Sequence, residues 1–137
     1  MYKYILFLSL VYFAASCKSD PTSIDTKAYE EQKQSIAEKE KAKPLAFLRI
    51  KSTHRKNWIG QTVVEGTITN TAAVSSFKEV RLKMLCYDKD DKMVEEHEDM
   101  LDVILKPNSN KDFKLRYHLP RSTDSIAVTV MSAAVHE

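Results

Sequence analysis

The feature that most constrains the fold is an alternation of apolar and polar side chains with a period of two. Its clearest instance runs through residues 79–86, where one set of side chains is apolar and consists of Val80, Leu82, Met84 and Cys86. Successive side chains of a strand point to opposite faces, so a period of two places this set on one face. We therefore predict a strand that buries one face in a core.

The same alternation recurs in four other segments, which are separated by turn-forming residues and not by helical patterns. The sets of residues that share the predicted inner face are Ala46, Leu48 and Ile50; Val64, Gly66, Ile68 and Asn70; Phe113, Leu115, Tyr117 and Leu119; and Ile126, Val128 and Val130. This spacing predicts an all-β domain over residues 45–137, folded as an antiparallel β-sandwich. Residues 93–105 also fit a helix, but their position between two strands favours one longer or broken strand.

The first 16 residues have the pattern of an export signal. Lys3 is the single charge before the apolar run 5–15, which is too short to span a bilayer, since a spanning helix needs about 20 apolar residues. The run ends in Ala14, Ala15, Ser16 and Cys17, which resembles the lipobox of bacterial lipoproteins, although that family most often has leucine where Ala14 stands. The resemblance implies a signal peptide over residues 1–16 and lipid on Cys17. It also implies a place in the bacterial cell envelope, anchored to a membrane and facing the periplasm or the cell exterior. The alternatives are an ordinary secretory signal or a buried strand.

A charged linker, residues 17–44, follows. Residues 18–43 hold six basic and six acidic side chains and no glycine. Residues 27–43 are good helix formers that begin after a potential N-cap, Asp25 or Thr26, and stop before Pro44. Because Tyr29 and Ile36 are the only sizeable apolar residues in this stretch, we expect a helical spacer with little to pack against. A coiled-coil or partner-binding helix is the alternative.

Short motifs of a known family lie along the β domain: Gly66 with Asn70, the stretch 84–88, Asp90 with Asp91, Pro107 and Phe113. Together they make the domain resemble the FxLYD family of bacterial immunoglobulin-like sandwiches. The naming motif of that family falls on Met84-Leu85-Cys86-Tyr87-Asp88, where only Tyr87 and Asp88 are identical. The resemblance implies an immunoglobulin-like fold over about residues 46–130. Since these motifs are structural, it implies no particular activity.

Composition argues against several functions. A net charge of +2 and two glycines speak against nucleic-acid binding and against a phosphate-binding loop. If Cys17 carries lipid, Cys86 has no partner for an intrachain disulfide, and its register predicts a buried, inert thiol. The histidines lack metal-ligand spacing and no catalytic signature occurs, so we predict no enzymatic activity, no cofactor and no metal. Residues 88–91 resemble part of a calcium loop, but its essential glycine is missing, which favours a solvated turn.

Two charge features bear on partners. Residues 88–102 hold eight acids, whereas residues 106–121 hold five basic residues and one acid, so cross-strand ion pairs are expected if the two segments are neighbouring strands. A partner-binding acidic edge is the alternative.

Trp58, the only tryptophan, follows Arg55 and Lys56 near a turn. An exposed indole there would suit a glycan or a protein contact, and an indole folded back over the end of the sandwich is the other interpretation.

These observations favour a non-catalytic, lipid-anchored envelope protein. Its partners would be the membrane, through the lipid anchor, and another envelope protein, through the sandwich domain; an accessory role in an assembly fits the same pattern. The alternative is binding of a glycan or small ligand through the Trp58 loop, with Trp58, Arg55 and Lys56 as the contact residues.

Overall fold

The computed structural model describes residues 25–137. The predicted signal peptide, residues 1–16, and the predicted lipid site, Cys17, lie outside the described residues. Two helices precede six strands in chain order: α1 (Asp25–Ala42), α2 (Pro44–Phe47), β1 (Leu48–Lys56), β2 (Thr62–Asn70), β3 (Ser76–Tyr87), β4 (Met93–Leu101), β5 (Ser109–Tyr117) and β6 (Ser125–His136). No helix among residues 25–137 is long and apolar enough to cross a membrane.

The strands form two antiparallel sheets, one with the order β1-β2-β5 and the other with the order β4-β3-β6. The predicted all-β sandwich is thereby confirmed. Strand β3 is the centre of the second sheet and contributes Val80, Leu82, Met84 and Cys86 to the core, as its alternation predicts. Val64 and Ile68 of β2 face them from the first sheet. The most regular alternation in the sequence thus belongs to a central strand, one of the two that have partners on both sides.

The strand directions give the sandwich two different ends. The β1–β2 hairpin, the β3–β4 turn and the β5–β6 loop lie at one end, which we call the hairpin end. The C-terminus of α1, helix α2, the β2–β3 loop and the β4–β5 connection lie at the other, which we call the stalk end. Strand β1 has nine residues, and at about 3.3 Å per residue the two ends are roughly 30 Å apart.

Helix α1 is fastened to the sandwich by its last turn. The Glu40 side chain is only 2% exposed, and its carboxylate accepts backbone N–H bonds from Ala73 at 2.6 Å, Val74 at 3.2 Å and Ser75 at 2.8 Å. Burial alone would raise the pKa of this carboxyl, but these N–H donors stabilise the charged form and bring the pKa below its ordinary value. The expectation of a helix with little to pack against is therefore wrong at its C-terminal turn.

Asn70 holds the β2–β3 loop against the β4–β5 connection. Its fully buried side chain donates from Nδ2 to the carbonyls of Ser75 at 2.9 Å, Leu105 at 3.0 Å and Lys106 at 3.1 Å. Its Oδ1 accepts the N–H of Ala72 at 2.9 Å. The Leu105 carbonyl also accepts the Phe77 N–H, so Asn70 adds hydrogen bonds that fasten the two connections to each other.

Gly66 is required by close packing. A Cβ at this position would lie 2.3 Å from the carbonyl oxygen of Lys51 and 2.7 Å from Cζ of Phe113. The register pairs Gly66 with Phe113, so the absent side chain leaves room for the phenyl ring. Both residues of the Gly66 and Asn70 motif thus have structural roles.

Three details differ from or refine the sequence predictions. Strand β1 begins at Leu48 because α2 occupies residues 44–47, a segment with Pro44 at its first position. Residues 93–105 form a broken strand, as predicted, because β4 ends at Leu101 and Leu105 pairs separately with Phe77. The acidic and basic segments are not neighbouring strands, since β4 and β5 belong to opposite sheets, so the condition for the expected cross-strand ion pairs is not met.

Candidate functional site

The β1–β2 hairpin at the hairpin end is tightly closed. The Gly60 N–H donates to the Asn57 carbonyl at 3.1 Å, and Gly60 takes the left-handed conformation with φ of 82°. The Asn57 N–H donates to the Gln61 carbonyl at 2.8 Å, while the Gln61 N–H donates to Asn57 Oδ1 at 2.9 Å. A side-chain bond of 3.2 Å joins the two amides. The loop is therefore a fixed turn, and residues 58 and 59 are its two central positions.

Those two positions carry large apolar side chains. Trp58 is 96% exposed and Ile59 is 53% exposed. Glycine, proline, asparagine, aspartate and serine dominate such positions, because they suit the turn backbone and tolerate water. The interpretation in which the indole folds back over the sandwich is wrong. A rigid turn that displays tryptophan and isoleucine to solvent is a departure from local sequence preference of the kind expected at functional sites.

Arg55 and Lys56 belong to strand β1 and not to the loop. The Arg55 guanidinium lies 3.4 Å from the Glu65 carboxylate on the neighbouring strand, and Lys114 Nζ lies 2.6 Å from the same carboxylate. The hydrogen bond from Lys114 lowers the Glu65 pKa most, with a smaller contribution from Arg55. Arg55 is thus directed along the sheet, and the structure does not join it to Trp58 in one ligand site. Lys56 is exposed beside the turn.

A second polar group lies where β4 faces β5 across the sandwich. Tyr117 Oη donates to Asp99, and the rings of Tyr117 and His97 are 4.8 Å apart. Burial and the nearby Asp99 carboxylate raise the Tyr117 pKa. His97 Nε2 lies 2.9 Å from Glu95, without hydrogen-bond geometry. Inward-pointing charges on an edge strand discourage pairing with another chain, so this group protects the edge. Sequence reasoning missed it because its members come from opposite sheets.

The remaining candidate residues have structural surroundings. Cys86 is a buried free thiol whose pKa is raised by burial and, to a smaller extent, by Glu95, which fits the predicted inert cysteine. In the segment that resembles a calcium loop, Asp88 Oδ1 accepts the N–H groups of Asp90 and Lys92, as in an ordinary Asx turn. Residues 25–137 contain no cluster of three or more side chains suited to hold a metal ion.

Comparisons with known proteins find solved structures of low sequence identity to this chain. No family model and no curated protein sequence matches the chain. Among solved structures, it is similar to a DUF1425 family member from Shewanella sp. pv-4, with a TM-score of 0.48 and 14% identity over 62% of this chain and 77% of that chain. It is also similar to the putative ApaA protein from Bordetella pertussis, with a TM-score of 0.39 and 13% identity over 64% of this chain and 90% of that one. At these values neither likeness carries a functional argument.

Proposed function

We propose that this chain is a non-catalytic, lipid-anchored protein of the bacterial cell envelope that contacts another envelope protein through its β1–β2 hairpin. The observation that carries the proposal is the nearly complete exposure of Trp58 at the tip of a rigid turn, beside exposed Ile59. Tryptophan is enriched among the residues that dominate binding energies at protein interfaces, where it fills a pocket on the partner.

The rigidity of the turn supports a contact role. Ordering a flexible loop on binding costs free energy, and a preorganised loop avoids most of that cost. The hydrogen bonds between Asn57 and Gln61 fix the turn before any partner arrives. Trp58 contributes little to the stability of the domain, because a side chain that is 96% exposed makes few contacts within it.

The placement of the hairpin is a second support. Glu40 attaches helix α1 to the stalk end, and the hairpin lies at the opposite end. The 18 residues of α1 extend about 27 Å at 1.5 Å per residue. With lipid on Cys17, this order along the molecule directs Trp58 away from the anchoring membrane. A partner would then be met at a distance from that surface.

The anchor is tested separately from the contact. Mass spectrometry of the mature protein is expected to find residues 1–16 removed and acyl chains on Cys17, because two or more chains give a stable anchor. The Cys17→Ser variant should move from the detergent phase to the aqueous phase. An unmodified residue 17 in a water-soluble product would refute lipid anchoring and leave the hairpin contact open.

The contact is tested by chemical crosslinking of intact envelopes followed by isolation of the protein. Trp58→Ala is expected to lower the yield of a reproducible crosslinked partner more than tenfold, since loss of a central interface tryptophan costs about 2 kcal/mol or more. Met100→Ala, which removes another exposed apolar side chain far from the hairpin, is the matched control. Equal yields from the two variants would contradict the proposal.

A glycan or small ligand is the second candidate for the hairpin, because an exposed indole face suits stacking on a sugar. As Trp58 is the only tryptophan, its fluorescence reports directly on the turn. A saturable change in this fluorescence on adding soluble envelope glycans would favour glycan binding. An unchanged spectrum would favour the protein contact.

We further infer a distant relationship to the FxLYD family. The support is that Gly66 and Asn70, two residues of the resemblance, are each required by packing or hydrogen bonding in this fold.

A further inference from the structure

The outward face of the β1-β2-β5 sheet is rich in basic side chains. Val64 and Ile68 of β2 point into the core, so the alternate residues of the sheet point outward. Their register brings five cationic residues onto one face: Arg49, Lys51, Arg55, Lys114 and Arg116. We call this surface the basic face.

Two carboxylates lie among these cations, and together they neutralise only part of the positive charge. Glu65 is shared by Lys114 and Arg55, and Asp112 accepts a hydrogen bond of 2.6 Å from the Thr67 hydroxyl. Within residues 25–137, Arg49, Lys51 and Arg116 make no ion pair with a carboxylate. The face therefore keeps an excess of three positive charges, although the whole chain carries a net charge of only +2.

The shape and composition of the basic face indicate the kind of partner. A shallow groove crosses its middle and is lined in part by Lys51, Thr53 and Lys114. The large exposed apolar side chains of the described residues lie elsewhere, and Val63, on this face, is only 3% exposed. Protein interfaces are centred on apolar or aromatic anchors and have few charges at the centre. A surface of spaced cations and hydroxyl groups matches instead a hydrophilic chain that carries regular negative charges.

We propose that the basic face binds a strand of acidic polysaccharide, laid in the groove. Side chains two residues apart on one strand, such as Arg49 and Lys51, are separated by about 6.7 Å, which is comparable to the length of one or two sugar units. Cations at this spacing would meet successive acidic groups, and Thr53 would hydrogen-bond to sugar hydroxyls. The proposal goes beyond the hairpin contact, because it uses a different surface and a different class of partner.

The test measures binding of polygalacturonate to the full mature protein in a neutral detergent, by isothermal titration at low salt. Saturable binding that weakens with added salt is expected, since salt screens exposed charges, and neutral dextran of the same length should not bind. The Lys51→Gln/Arg116→Gln variant should bind about tenfold more weakly, because two surface ion contacts are lost. The Arg81→Gln/Lys89→Gln variant makes the same change in net charge outside this face, and should change affinity less than twofold.

A variant that strengthens binding guards against an effect of misfolding. Asp112→Asn removes a negative charge from the groove while its amide can still accept from Thr67, and affinity should rise about twofold to threefold. The proposal is overturned if polygalacturonate does not bind, if dextran binds equally, or if the two double variants lose affinity equally. Binding of phosphatidylglycerol vesicles without binding of polygalacturonate would also overturn it, in favour of a lipid surface. Loss of the Trp58 contact would leave all these results unchanged.

Discussion

The attachment of the stalk helix through Glu40 makes a quantitative prediction. Glu40→Gln keeps the size of the side chain but replaces one carboxylate oxygen with an NH₂ group, which cannot accept a hydrogen bond. At least one of the N–H groups of Ala73, Val74 and Ser75 then loses its acceptor. A hydrogen bond to a charged group contributes about 1.5–3 kcal/mol, so we expect the variant to lose about 2 kcal/mol of unfolding free energy at pH 7.

The assay is urea denaturation of the wild type, Glu40→Gln and a control, Glu38→Gln. Glu38 is exposed on the same helix, and its replacement should change the free energy of unfolding by less than about 0.5 kcal/mol. The Glu40 carboxyl has a lowered pKa in the folded state. Its contribution is therefore complete above the ordinary value of 4.5 and is lost as the pH falls through the lower, folded-state pKa.

The gap between wild type and Glu40→Gln should accordingly shrink on acidification below pH 4.5. Equal stabilities of the two glutamine variants at pH 7 would refute the attachment. A gap that persists unchanged well below that pH would refute its electrostatic origin.

Three further predictions concern the core and its connections. Gly66→Ala should cost about 1–3 kcal/mol, since the added methyl group overlaps Lys51 and Phe113; thermal denaturation measures this, and an unchanged midpoint would contradict the close packing. Asn70→Asp should cost about 3 kcal/mol or more at pH 7, because it buries a charge facing three carbonyls, whereas a stability equal to wild type would rule out that network. The Cys86 thiol should resist iodoacetamide in native protein and react after unfolding in urea; rapid native labelling would disprove its burial.

The alternation of apolar and polar residues along the sequence was sufficient to predict most strands of the sandwich. The period of two identifies β2, β3, β5 and β6, because apolar residues alternate along each of them. Burial follows this alternation in β3 and β5, whereas every residue of β2 is buried or half-buried. It fails before Leu48, where Pro44 starts a short helix within an otherwise alternating sequence. It also cannot assign strands to sheets, so the sequence left open whether β4 and β5 are neighbours, and they lie in opposite sheets.

Contacts between residues that are far apart in the sequence could not be predicted from the local alternation of apolar and polar residues. Glu40 is one of several similar acids in a charged stretch, and only the fold brings it to loop residues 33–35 positions away. Asn70 likewise bonds to carbonyls up to 36 positions away. The sequence singled out Trp58 by its proximity to a turn, but its exposure depends on the tight closure by Asn57 and Gln61. The basic face arises from the register of three strands and has no signature in any one of them.

The measurement that tests the central claim most directly is site-specific photocrosslinking in living cells. A photoreactive phenylalanine derivative, which keeps a large aromatic side chain at the tip of the turn, replaces Trp58 at the hairpin end or, in a second strain, Leu45, which is exposed near the stalk end. We expect one discrete protein adduct from position 58 and a much weaker or absent adduct of that mass from position 45. Adducts of equal strength from both positions, or no protein adduct from position 58, would contradict a contact made by the hairpin.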